Sequence, residues 1–191
     1  MGHGPGGMGG DMNGGMNGGM GGMMHVQDEY GFLAHMIPHH QEAVDTAKII
    51  ADRSQRPEMK QFAQAIIAAQ TKEIGDMGAW LKAWYPSQTD RPTYQPMMRD
   101  LTGLSGDALD RQFLQDMIHH HHGAVMMARQ LIQRRLSQHT ETNNLAQAIV
   151  TSQTQEIGQM QTWLKTWFGD EGMGRSRAGC HRMPDGSEMC M

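Results

Sequence analysis

The chain has 191 residues and a net charge of -4 at neutral pH. That length allows one domain or two small ones around a buried core, and the charge, with no long basic run, gives no electrostatic ground for a nucleic-acid partner. No stretch approaches the roughly 18 apolar residues of a membrane span, and the N-terminus lacks the charged and apolar regions of a secretory signal. The anomaly is in two residue types: 20 Met and 11 His, with two Cys, at 180 and 190.

Residues 1–27 read as a disordered tail. The first 24 hold 12 Gly and 7 Met and no aromatic or β-branched residue, so they cannot bury enough apolar surface to offset chain entropy. Met8, Met12, Met16 and Met20 recur every four residues, followed by Met23, Met24 and His25. With Gly at half the positions this is a flexible string of soft donors rather than a helix face.

From 28 to 168 apolar residues recur at three and four with no β-type alternation, which predicts helix. The first helix runs from about Asp28 to Arg53; Pro57 suits the opening turn of a second that reaches about Tyr85. The three prolines of "YPSQTDRPTYQP" make residues 86–104 a linker. Ser105 or Asp107 caps a third helix to about Leu136, and the "SQHTETNN" break precedes a fourth that ends near Phe168 and Gly169. Residues 169–191 form a second flexible tail, whose "CHRMPDGSEMCM" gathers Cys180, His181, Met183, Met189 and Cys190. In an oxidising compartment the two cysteines can close a disulfide loop; in a reducing one they are thiols and metal ligands.

The helical region is written twice. Phe32, Met36, Ile37, His39, His40, Ala43, Val44 and Ala47 match Phe113, Met117, Ile118, His120, His121, Ala124, Val125 and Ala128 at an offset of 81. Gln70, Glu73, Ile74, Met77, Trp80, Leu81 and Trp84 match Gln153, Glu156, Ile157, Met160, Trp163, Leu164 and Trp167 at an offset of 83. Each copy, 28–85 and 105–168, is a helical hairpin with one wide apolar stripe. Two such stripes are best buried against each other, so the expected fold is all-α, a four-helix bundle.

At 100° per residue, His40 and His121 fall within the apolar arcs of the first and third helices with Met36 and Met117. Folding each hairpin about its turn brings Met36 and His40 level with Met77 and Glu73, and Met117 and His121 level with Met160 and Glu156. His35, His39, His120 and Met127 are expected at the core edge. His119, His122 and Met126 lie together on the opposite face of the third helix, toward solvent. A neutral imidazole and a thioether one turn apart can reach one ion.

Thioether sulfur is a soft, uncharged donor that favours Cu(I) and Ag(I), while imidazole accepts Cu(I) and Cu(II) alike. The His and Met set therefore points to a non-enzymatic protein that sequesters or shuttles Cu(I), with Glu73 and Glu156 holding the imidazole N–H groups. Two other classes compete. One is a metal-dependent oxidase, but a di-iron bundle wants Glu-x-x-His on two helices, and here His39-x-x-Glu42 runs in reverse with Gly123 at the matching position. The other is a structural bundle in which Met fills gaps and His merely packs.

The phrase of an aromatic residue, then "MIPHH" or "MIHHH", then an Ala-rich helix, paired with "EI..M..WL..W", resembles the domain-of-unknown-function 305 family over about residues 28–168, in two copies. The resemblance implies a ferritin-like four-helix bundle, copper binding through Met and His, a place in copper resistance, and a periplasmic or secreted location whose signal is absent from this chain. Met36, His39, His40, Met117, His120 and His121 carry it. A copper efflux or sensor protein is an expected partner of a copper carrier, and the outward histidines allow a metal-linked dimer. Pro38 and Gln41 stand where the second copy has His119 and His122, so an outer site is expected in the second copy only.

Overall fold

The computed structural model describes residues 25–90 and 92–169, and the backbone of Cys180–Arg182 and Glu188–Cys190. Four helices account for most of it: α1 Glu29–Arg53, α2 Pro57–Trp84, α3 Gly106–Gln133 and α4 Thr140–Phe168. Two short strands, β1 Cys180–Arg182 and β2 Glu188–Cys190, pair antiparallel with Cys180 opposite Cys190 in the register. A segment expected to be wholly flexible thus carries a small ladder.

Local chemistry explains the helix ends. The Asp28 carboxylate caps α1 by accepting from the Gly31 N–H at 2.7 Å. Pro57 opens α2, where a missing N–H costs nothing. Gly169 stops α4 in the left-handed conformation at φ 67°. At the end of α3 the same left-handed position, φ 54°, is taken by Arg135, with the Leu136 N–H on the Leu131 carbonyl. A side chain there costs about 1 kcal/mol relative to glycine. Arg135→Gly is therefore expected to raise stability by up to about that amount in urea unfolding; an unchanged or lower midpoint would show that the Arg135 side chain offsets the strain.

α1 packs on α2 and α3 on α4, and the two hairpins meet along α1 and α3. Two apolar clusters fill the ends of the bundle. One is built on Phe113, Leu114, Ile50, Met59, Ile66, Met117, Met160 and Leu164, the other on Phe32, Leu33, Met36, Met77, Leu81, Leu131 and Ile149. Burial of these side chains, at about 25 cal/mol per Å² of apolar area, is what drives the hairpins together.

Each end also carries a polar clasp between hairpins. Glu29 is fully buried and accepts from the Tyr85 hydroxyl at 2.6 Å, His139 Nδ1 at 2.7 Å, and the backbone N–H groups of Gln138 and His139 at 3.1 and 3.0 Å. The His139 ring lies flat on Trp84 with centroids 3.7 Å apart. At the other end Arg56 donates to Asp107 at 2.8 Å and Asp110 at 3.2 Å and covers the rings of Trp167 and Phe168. Glu29 and Asp110 are repeat equivalents, as are Arg56 and His139, and Trp84 and Trp167. The duplicated tryptophans, stacked in pairs as Trp80 on Trp84 and Trp163 on Trp167, serve these clasps.

Candidate metal centre

Between the two apolar clusters lies a buried polar layer: His39, His40, His120 and His121, none more than 2 % exposed, with Gln70 and Gln153. Four imidazoles in a dry core are costly unless their nitrogens are paired. On one side of three rings they are. His40 Nε2 is 2.8 Å from Glu73, His121 Nε2 is 2.6 Å from Glu156, and His120 Nε2 is 3.2 Å from Glu42. A carboxylate only accepts, so Nε2 carries the proton in each. That leaves the lone pair on Nδ1, and the Nδ1 atoms of His40, His120 and His121 are buried without a hydrogen-bond partner. In His39 both ring nitrogens are.

Sulfur flanks this layer on both sides. Met36 and Met77 belong to one apolar cluster and Met117 and Met160 to the other, all fully buried. Met36 precedes His40 by one helical turn and Met77 follows Glu73 by one; Met117 with His121 and Glu156 with Met160 repeat the spacing on α3 and α4. Each hairpin therefore offers two thioethers and one imidazole whose outer nitrogen is held by a carboxylate. Met127 is buried in the cluster of Met36 and Met77 rather than at the core edge, a correction to the sequence expectation.

His39 and His120 require the larger correction. They are not at the edge of the core but meet each other across the two hairpins, with ring centroids 3.7 Å apart and planes tilted by 34°. The cause is the direct crossing of α1 on α3, which turns residues one step off the apolar arc toward the other hairpin. The rings form a continuous row: His40 to His39 is 6.2 Å and His120 to His121 is 6.4 Å. Burial, reinforced by His120, His40 and His121 nearby, holds His39 well below the usual imidazole range. Burial likewise pulls His120 down to about 4 despite its carboxylate partner. Both are neutral donors at physiological pH.

The linker closes over this pair. The Tyr94 hydroxyl and the backbone N–H groups of Met97 and Met98 all donate to the Glu42 carboxylate, which also faces His120. Arg99 anchors the next turn through a forked pair of bonds to Asp116 at 2.6 and 3.0 Å. Burial alone would raise the Glu42 carboxyl, but the bonds from His120, Tyr94 and the two amides hold it at about 2. Glu42 and Tyr94 were missed as site residues; the available signal was Glu42 at the x-x-Glu position after His39.

These groups set an acid limit for the metal-free protein. Below about pH 6.5 the unfolded chain protonates imidazoles that buried His39 and His120 keep neutral, so stability present above that pH is lost as it falls toward 4. Glu42 adds a second loss between about 4.5 and 2, because its folded-state carboxyl ionises more readily than the unfolded one. Urea midpoints measured from about pH 7 down to about pH 4.5 are expected to fall, by on the order of 2 kcal/mol of stability; a flat profile would contradict this.

The remaining candidates lie outside the polar layer. His35 is half-buried and its Nδ1 bonds the Gly31 carbonyl of its own helix at 2.7 Å, outside the polar layer. His25, His119, His122 and Met126 are exposed. Met23, Met24 and Met183 lie outside the described residues, as do the side chains of Cys180, His181, Met189 and Cys190. Among the described residues no three His, Cys, Asp or Glu side chains are gathered to hold a metal ion. An interior site built from the described residues must therefore use thioether sulfur, the soft donor.

A duplicated helical hairpin closed around a buried imidazole layer between thioethers defines a class of His- and Met-lined helical bundle. The chain belongs to the family described as Domain of unknown function (DUF305), which matches residues 29–164 and 131–191. Among solved structures, CopM in its Cu(I)-bound form is 34 % identical with a TM-score of 0.67, covering 75 % of this chain and all of that one. CopM is also known in Cu(II)-bound, Ag-bound and apo forms. A DUF305 fragment from Deinococcus radiodurans is 31 % identical with a TM-score of 0.63 over 73 % of this chain and 96 % of its own. An uncharacterized protein, L153, of Acanthamoeba polyphaga mimivirus is 41 % identical over 54 residues, which span 28 % of this chain and 36 % of that protein.

Proposed function

We propose that this chain is a non-enzymatic copper-binding protein that holds Cu(I) at two interior positions, one per hairpin, and takes Ag(I) by the same softness. The observation that carries this is the set of three buried imidazoles with Nε2 on a carboxylate and Nδ1 without a partner. An orphaned lone pair in a dry core is costly in a purely structural bundle, and an ion between imidazole and thioether removes that cost. Met36, His40 and Met77 would hold one ion, and Met117, His121 and Met160 the other. Glu73 and Glu156 fix the tautomer and raise the basicity of the ligating nitrogen.

CopM, solved with Cu(I), Cu(II) and Ag, supports the choice of ion. The His39 and His120 pair adds imidazoles that also suit Cu(II). A role in copper resistance and homeostasis, by sequestration or by delivery to an efflux or sensor protein, fits a buried store of this kind. Among the described residues no helix is long and apolar enough to cross a membrane, and a Streptomyces coelicolor DUF305 relative is described as secreted. The relative's description supports a periplasmic or secreted setting. The test is competition of the full chain against a chromophoric Cu(I) chelator under reducing conditions. At least two equivalents withdrawn from the chelator is the expected result, and failure to compete would end the proposal.

A further inference from the structure

α3 carries a second set of donors that the bundle interior does not use. In the run 119–122 the two inner residues, His120 and His121, are buried, while His119 and His122 face outward. Met126 joins them and, at 48 % exposed, is the large hydrophobic residue left open among the described residues. His122 lies three residues from His119 and four from Met126, so an ion over His122 is within one helical turn of both.

The first copy shows what the fold itself needs on this face. Its equivalent positions are Pro38, Gln41 and Asp45, where Gln41 donates to Asp45 at 3.0 Å and Lys48 to Asp45 at 2.9 Å, an ordinary solvated network. In the second copy two imidazoles and a thioether take these positions, and all three side chains stay exposed.

We infer that His119, His122 and Met126 form a surface site for a soft monovalent ion, Cu(I) or Ag(I), independent of the interior positions and present in the second copy alone. The choice of ion rests on the function proposed above. Because one helix supplies every donor, the outer side of the ion stays open, and such an ion exchanges with incoming thiol or thioether donors without any opening of the bundle. The interior ligands, fully buried, cannot do this.

The experiment uses the full chain carrying ¹³C-methyl methionine, titrated with Ag(I), alongside the variant His119→Gln/His122→Gln/Met126→Gln. The substitutions are on the surface, so circular dichroism and the urea midpoint should be unchanged within about 0.5 kcal/mol. The expected result is a shift of the Met126 methyl resonance during the titration and one fewer equivalent bound by the variant. A Met126 signal that stays put while interior methyls move would overturn the surface site and leave the interior intact. Equal stoichiometry of variant and parent would overturn it too, and no Ag(I) binding anywhere would remove both proposals.

Discussion

Glu29→Ala is expected to lower the unfolding free energy by about 3 kcal/mol, a large effect for one surface-remote carboxylate. Glu29 is fully buried and serves four donors, from Tyr85, His139 and the backbone of Gln138. Burial raises its carboxyl, but the bonds from Tyr85 and His139 outweigh that and hold it below the usual carboxylate range. Removing it strands a hydroxyl, an imidazole and two amides at the seam between hairpins, each costing about 1–3 kcal/mol where water cannot reach. His139 is 33 % exposed and recovers part of this by hydration, which is why the estimate stays below the sum. Asp110→Ala, at the opposite clasp, should cost less, because one Asp110 oxygen has no partner and burial already raises its carboxyl. Urea unfolding of the metal-free protein measures both. A loss below about 1 kcal/mol for Glu29→Ala, or a larger one for Asp110→Ala, would contradict the clasp account.

The second large effect concerns the sulfurs. Leucine has nearly the volume of methionine, so Met36→Leu/Met77→Leu and Met117→Leu/Met160→Leu should fold with losses below about 1.5 kcal/mol per site. Each pair nevertheless removes both soft donors from one hairpin. Loss of a partner that only orients a ligand costs about 10–100-fold in metal affinity, and loss of two direct ligands should cost at least about 100-fold for that ion. The other ion should be unaffected, because the two methionine pairs sit in separate apolar clusters. Titration with Cu(I) against a chelator would show one tight equivalent lost in each double variant and both in the quadruple one. If all variants titrate like the parent, the methionines are gap fillers and nothing more.

How much of this was legible in the sequence differs by element. The helical bundle follows from residue pairs such as Phe32 with Phe113 and Trp84 with Trp167, since two copies of one hairpin must bury equivalent stripes. The approach of His40 to Glu73 and of His121 to Glu156 follows from counting back from the turns, because a helix advances a fixed distance per residue. The meeting of the His39 and His120 rings does not. Each stands one position before an inward histidine, and only the crossing of α1 over α3 decides whether that rotation faces solvent or the other hairpin. Tyr94 and the amides of Met97 and Met98 were hidden for a different reason: a Pro-rich linker has no periodicity, so its path over Glu42 is set by tertiary contacts. Glu42 itself stands in the sequence only as part of His39-x-x-Glu42, the reverse of the di-iron pattern. The clasps were illegible because Glu29, Arg56 and His139 are charged or titratable residues at helix ends, where a solvated cap is the default.

On the function proposed above, Nδ1 lone pairs and thioether sulfurs are paired in the interior to take a soft ion. The most direct measurement is anomalous diffraction from crystals of the full chain grown or soaked with Ag(I). Interior ions bonded to His40 Nδ1 with Met36 and Met77, and to His121 Nδ1 with Met117 and Met160, with Glu73 and Glu156 still on Nε2, are the predicted result. Ions confined to exposed residues, or interior ions on Nε2 with the carboxylates displaced, would contradict it.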